Sequence, residues 1–258
     1  MEGPCMAKAL TEPLITAIYS DRVRRVGALL RRGASPSAPN AEGETPLYLA
    51  SVSGQTDIVR LLLEAGAPPD AESRGEGTAG LPLCAAACWD HSGAVHELLA
   101  HGADPDRRED DGTSYTPLMW AATGGHQRTA ELLLEARADP DAGCGARTPL
   151  MAAAERGSIA VVRALLRHGA DPHLTDEQGR TAWHMAHERC GKDVESELRE
   201  RAGVVQDARY EVLRSPRAEG TELVELSVSA LNGTGGASWQ EETGHALIAA
   251  LLRETMQG

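Results

Sequence analysis

A stretch of about twenty-three residues recurs six times along this chain, and two copies nearly spell the pattern: Thr45-Pro46-Leu47 through Gly66-Ala67, and Thr148-Pro149-Leu150 through Gly169-Ala170. The Leu of the Thr-Pro-Leu step, or the residue standing in for it, falls at Leu14, Leu47, Leu83, Leu118, Leu150 and Trp183, at spacings of 33, 36, 35, 32 and 33 residues. A unit this short cannot bury an apolar face by itself. A chain with such a period is confined to a stack in which each copy covers its neighbour.

Each element of the pattern has a physical reason. Pro46, Pro117 and Pro149 suit the first position of a helix, where a missing N–H costs nothing, and Thr45, Thr116 and Thr148 precede them as N-caps. A small-residue helix follows (Ala85-Ala86-Ala87, Ala152-Ala153-Ala154), allowing close approach of neighbouring backbones. A second helix then supplies the apolar stripe, through Leu61-Leu62-Leu63, Leu98-Leu99, Leu132-Leu133-Leu134 and Leu165-Leu166. Gly33, Gly66, Gly102 and Gly169 are placed to end that second helix at positive φ. Asp104-Pro105-Asp106, Asp139-Pro140-Asp141 and Asp171-Pro172-His173 stop further helix and open an extended connection.

The order Thr-Pro-Leu, small helix, Gly or polar step, Leu-rich helix, Gly-Ala-Asp strongly resembles the ankyrin repeat. The resemblance covers residues 11–203 as six copies, the first and last divergent. It implies a mainly α fold, an ankyrin-repeat solenoid of stacked helix-turn-helix units. Residues 1–10 are read as an N-terminal arm and 204–258 as a strand-strand-helix cap or small module. Phe is absent, and only four Trp and four Tyr are present, so the core is aliphatic and rich in Ala, as thin repeat layers require.

The net charge of −13 argues against a duplex nucleic-acid partner, whose affinity comes from Lys and Arg neutralising phosphates. No apolar run approaches the ~18 residues of a membrane span. Residues 1–10 lack the basic start and apolar stretch of a secretory leader, so a cytoplasmic protein is expected. The odd number of cysteines, five, fits thiols in a reducing compartment better than a disulfide framework.

The ankyrin resemblance also implies where a partner would bind: on the inter-repeat fingers, and on the concave face at the two residues before each inter-helix step. Here those pairs are Tyr19-Ser20, Val52-Ser53, Cys88-Trp89, Thr123-Gly124, Glu155-Arg156 and Glu188-Arg189. Trp89 is the first candidate anchor, because Trp buries a large area for little rotamer entropy; the alternative is that it packs on the long connection 71–80. Trp120 and Trp183 are expected in the core, and Tyr115, on the lengthened connection 107–115, as an exposed anchor. The candidate partner-binding set is Trp89, Tyr115, Tyr19, Val52, Cys88, Glu155, Arg156, Arg147 and Arg180. The expected ligand is another protein, bound by a monomer.

No zinc-protease helix, phosphate-binding Gly-rich loop, Gly-x-Ser-x-Gly elbow or Cys-x-x-Cys pair is present, so no catalytic residue, cofactor or metal is assigned. His184, His187 and Cys190 share one side of a helix, but three ligands on one helix converge poorly on one ion. The ankyrin resemblance instead gives His184 a bond to the local backbone. Cys84 and Cys88, four apart on a helix, read as two thiols rather than a disulfide. After residue 203, residues 210–213 and 222–231 read as the strands of a β-hairpin, 232–236 as a flexible loop and 241–255 as a helix. Thr243-Gly244-His245 through Leu252 looks like the second half of another repeat, with no Thr-Pro-Leu helix before it. This segment either caps the last repeat or is a small ligand-binding or catalytic module that the repeats target.

Overall fold

The computed structural model describes residues 3–75, 78–109, 114–190, 208–216, 221–230 and 236–257. By its internal contacts the chain divides into two compact units, residues 1–144 and 145–258.

The first unit is a stack of four helix pairs: α1 (Gly3–Tyr19) with α2 (Val23–Arg31), α3 (Pro46–Val52) with α4 (Thr56–Glu64), α5 (Pro82–Cys88) with α6 (Ser92–Ala100), and α7 (Pro117–Gly124) with α8 (Gln127–Glu135). First helices pack on first helices in the order α1, α3, α5, α7, and second helices on second helices in the order α2, α4, α6, α8. The marker residues Leu14, Leu47, Leu83 and Leu118 are all buried, as are Ile58, Val59, Leu62, Leu98 and Leu133 on the second helices. The alanines let the first helices approach: Ala50, Ala86, Ala87, Ala121 and Ala122 have no exposed surface.

Local chemistry sets the helix boundaries. Thr45 and Thr116 cap α3 and α7, each hydroxyl accepting the backbone N–H three residues on, at 3.4 and 3.2 Å. The third repeat has Leu81 in that place, buried and without a side-chain cap. Helix α1 begins at Gly3 and runs through Pro13, so the arm and the first repeat helix are one helix rather than an arm followed by a repeat. The helix-forming run Met6-Ala7-Lys8-Ala9-Leu10 extends it backwards past the proline. Gly33, Gly66 and Gly102 close their second helices at φ of 91°, 91° and 85°; in the fourth repeat Arg137 takes the same left-handed place at φ 68°.

The connections are tied to one another. Asp70 accepts the backbone N–H of Asp104 on both oxygens at 3.2 Å, and Asp106 Oδ1 accepts that of Asp139 at 2.9 Å. Burial raises both the Asp70 and the Asp106 carboxyl, against the opposing pull of these backbone bonds. The long connection before α5 folds into a ribbon not foreseen from sequence, β1 (Ser73–Gly75) antiparallel to β2 (Thr78–Gly80), with Ser73 opposite Gly80. Arg74 N–H bonds the carbonyl oxygen of Gly43 at 3.1 Å, docking the ribbon on the preceding connection.

The second unit holds α9 (Pro149–Arg156), α10 (Ile159–Arg167), α11 (Ala182–Arg189), the strands β3 (Ala208–Pro216), β4 (Glu222–Ala230) and β5 (Gly236–Glu242), and α12 (His245–Thr255). Thr148 caps α9, accepting from Met151 N–H at 3.3 Å, and Gly169 closes α10 at φ 90°. Helix α12 packs against α11, α10 and α9. The strands form an antiparallel sheet in the order β3-β4-β5, with Val212 opposite Leu226 and Leu226 opposite Trp239.

Three expectations are corrected here. The C-terminal sheet has three strands rather than the two of a hairpin, because residues 236–242 pair along β4. The last helix accordingly starts at His245, not at 241. Trp183 is half-buried instead of lying in the core like the leucines it replaces; its ring stacks on His187 at 4.6 Å and 12°.

Candidate partner-binding surface

In the first unit the short helices α3, α5 and α7 put their last residues at the inter-helix turn, so the row before that turn follows directly from the repeat register. Tyr19 and Trp89 stand out from it, 61% and 62% exposed, whereas Val52 and Cys88 are half-buried. Asp90, just after Trp89, holds φ 57° where the second and fourth repeats have Gly54 and Gly125; its Oδ1 accepts Thr129 Oγ1 at 2.8 Å. The backbone under Trp89 is thereby fixed while the indole faces solvent.

Tyr19 is braced rather than loose. Its hydroxyl donates to Glu44 Oε2, and that hydrogen bond, with burial and the charges of Glu44, Glu42 and Glu12, pushes its pKa up to about 12. The Cys88 thiol is also pushed up, by burial first and then by the Glu109 charge, so it lacks the lowered pKa of a nucleophile.

Tyr115 is half-buried and packs on Trp120 with ring centroids 4.9 Å apart, so it belongs to a cluster instead of projecting as a lone anchor. Trp120, expected in the core, is half-buried too. Its indole Nε1 donates to Glu109 Oε2 at 2.9 Å, and Glu109 Oε1 accepts Leu81 N–H at 3.3 Å. Glu109 is only 7% exposed, and a Cβ built on Gly80 would collide with its Oε1. This carboxylate joins the connection before repeat four to the start of repeat three. Sequence reasoning missed it: nothing in the lengthened connection 107–115 marks Glu109 as buried, and the one cue was an indole N–H in need of an acceptor.

In the second unit the candidate residues are charged, and three of them, Arg147, Glu155 and Arg180, form ion pairs. Arg147 pairs with Glu155. Arg180 pairs with Asp176 at 2.9 Å and with Glu188 at 3.5 Å, and Arg156 is half-buried. Asp176 also accepts the N–H groups of Gln178 and Arg180 on Oδ1, at 3.0 and 2.8 Å, fixing the connection before α11.

His184 lies at the start of α11, where Thr181 N–H donates to its Nδ1 at 3.1 Å in a capping box, and the Cys190 thiol donates to the carbonyl oxygen of Ala186 at 3.3 Å. Among the described residues no three His, Cys, Asp or Glu side chains are grouped to hold a metal ion. Nor is any described helix long and apolar enough to cross a membrane.

Comparison with known proteins agrees with this geometry. The family described as ankyrin repeats (3 copies) matches residues 5–73 and 74–144, and that described as ankyrin repeats (many copies) matches 133–186. Palmitoyltransferase Hip14 of Drosophila melanogaster is 42% identical over 174 residues, which cover 67% of this chain and 27% of that protein. The match spans less than a third of the length of four curated relatives, Hip14 among them. Among solved structures, the human ASB11 ankyrin repeat domain is 31% identical with a TM-score of 0.60, over 74% of this chain and 83% of that one. The ankyrin repeat domain of Bcl-3, a member of the IkappaB protein family, is 33% identical with a TM-score of 0.61, over 69% and 80%.

Proposed function

The chain belongs to the ankyrin-repeat family, and from that premise we propose that it is a non-catalytic scaffold that binds another protein through the residues before its inter-helix turns and through the connections between repeats. Ankyrin repeats generally mediate protein–protein interaction. The match to a palmitoyltransferase lies in the repeats, so it brings no catalytic group with it.

The observation that carries this reading is Trp89. A tryptophan 62% exposed, on a turn whose backbone is fixed by Asp90 and Thr129, offers a large apolar area that loses little freedom on binding. Tyr19 offers a second aromatic of the same kind, held in place by Glu44, and Val52 and Cys88 are the half-buried members of the row. In the second unit Glu155, Arg156, Arg147 and Arg180 present a charged surface whose pairs set orientation more than affinity. The Tyr115–Trp120 cluster supports the connection before α7. The same reading takes the protein as a cytoplasmic monomer.

The test is affinity purification with mass spectrometry to identify a partner, followed by titration of the purified pair with wild type and Trp89→Ala. Loss of at least about tenfold in affinity, roughly 1.4 kcal/mol, with an unchanged melting temperature is expected. Equal affinities would remove Trp89 from the contact.

A second reading stays open on one observation. The family matches end at residue 186, and the sheet β3-β4-β5 lies beyond them. A ligand-binding or catalytic role would then belong to that sheet, and would survive Trp89→Ala.

A further inference from the structure

In the first unit the residue just before the second helix of each later repeat has a side chain that reaches back to the preceding repeat. Gln55 Nε2 donates to the carbonyl oxygen of Ile18 at 2.8 Å, His91 Nε2 to that of Val52 at 3.1 Å, and His126 Nε2 to that of Cys88 at 3.0 Å. Val52 and Cys88 stand two residues before their inter-helix turns. In the second unit the residue so placed is Glu155. The side chain that reaches its carbonyl oxygen, at 2.8 Å, is His245, ninety positions on.

The correspondence continues along the helix. Counting three, four and seven residues on from Gln55 gives Ile58, Val59 and Leu62; from His91, Ala94, Val95 and Leu98; from His126, Thr129, Ala130 and Leu133. All nine are fully buried. The same count from His245 gives Ile248, Ala249 and Leu252, at 0%, 7% and 0% exposure. Gly244 precedes His245 as Gly54 precedes Gln55, and a Cβ on Gly244 would collide with the carbonyl oxygen of Gly157, so the helix start is seated on the turn between α9 and α10.

We infer that α11 and α12 are the two helices of a single sixth repeat, and that the residues between Arg189 and Thr243, with the sheet β3-β4-β5, are an insertion at its inter-helix turn. The repeat array is closed by α12; the sheet is a module carried on the array and not its cap. The stretch directly after Cys190 explains why the position passes to a distant helix. At the same three, four and seven count from Gly191 it offers Val194, Glu195 and Leu198, with a carboxylate where the other repeats bury Val59, Val95 and Ala130. Burying that charge without a partner is costly, whereas α12 supplies Ile248, Ala249 and Leu252 at those three places. Thr243, two positions before α12, joins it to the sheet: its N–H bonds the carbonyl oxygen of Glu222 at 3.0 Å, and its Oγ1 accepts Glu222 N–H at 2.9 Å.

Two measurements test the assignment independently of any partner. Hydrogen exchange on the intact chain is expected to give α11 and α12 amides one common protection, with those of β3, β4 and β5 opening separately. Exchange of α12 together with the sheet and apart from α11 would overturn it. Second, a variant in which residues 191–242 are replaced by a flexible Gly-Ser linker is expected to keep cooperative unfolding, with a melting temperature within about 3 °C of wild type. In that background Ile248→Asp is expected to abolish the cooperative transition of repeats five and six. A linker variant that does not fold, or an Ile248→Asp change without effect, would show that the sheet and not α12 closes the array.

Discussion

Tyr19 donates its hydroxyl to Glu44 Oε2 across 2.6 Å, and Asn40 Nδ2 donates to the same oxygen at 2.8 Å, so one carboxylate holds the end of α1 against the first connection. The bond keeps its proton: Tyr19 is raised from 10.0 to about 12. A phenol that holds its proton more tightly when folded stabilises fully below its unfolded pKa, and that contribution is lost as pH climbs from 10 to about 12. Tyrosinate absorbance should therefore show one late-titrating tyrosine in wild type that Tyr19→Phe lacks. The stability gap between the two proteins should close over the same interval. A Tyr19→Phe titration that overlays wild type, after scaling for one tyrosine, would refute the assignment.

Glu109, itself buried, accepts from the buried Leu81 N–H and from the half-buried Trp120 indole. Truncation leaves the buried Leu81 N–H and the indole without it, and Glu109→Ala should cost about 2 kcal/mol. Denaturant unfolding measures the loss, and a shift in tryptophan emission would locate part of it at Trp120. A cost under about 0.5 kcal/mol, the range of ordinary surface changes, would mean that the carboxylate is not holding this connection.

The same carboxylate acts on Cys88, whose thiol is raised by burial and then by the Glu109 charge. Glu109→Gln removes the charge and nearly keeps the shape. The thiol should ionise more readily, and its alkylation at mildly alkaline pH, followed by peptide mass spectrometry, should speed up. An unchanged rate would leave burial as the sole cause.

Arg137 occupies a left-handed backbone position, φ 68°, that Gly fills in neighbouring repeats. A side chain there costs about 1 kcal/mol, so Arg137→Gly should stabilise the protein by that amount. Asp90→Gly relieves a similar φ but forfeits the bond from Thr129, and should not stabilise. Thermal melts of the two variants would separate strain from hydrogen bonding, and equal gains would contradict this account.

What could be read from the sequence was what is decided locally. Thr45, Thr116 and Thr148 announce helix starts because the capping oxygen and the amide it meets lie three residues apart, and Gly66 announces an end because few residues accept its φ. The place of α12 was half legible: Gly244-His245 carried the start of a second helix, but its first helix lies more than fifty residues upstream. Strand β5 was not legible, since pairing with β4 and not its own residues makes 236–242 extended. Glu109, Trp120 and Tyr115 form a cluster out of a charged residue on a lengthened connection, an expected core residue and an expected anchor. Trp183 was misjudged because the leucine position it occupies is buried in every other copy, and its ring instead leans on His187.

The carboxylates of Asp70 and Asp106 each grip the backbone of the connection that follows, at Asp104 and Asp139. Such a joint asks of the following copy only a main-chain N–H, which any residue but proline supplies; in the second repeat Pro68 stands at that place and cannot. A gene segment duplicated at this period would arrive with both halves of the fastening already encoded. The length of the first unit is thus open to change by whole copies, while substitutions at the inter-helix turns alter what each copy displays.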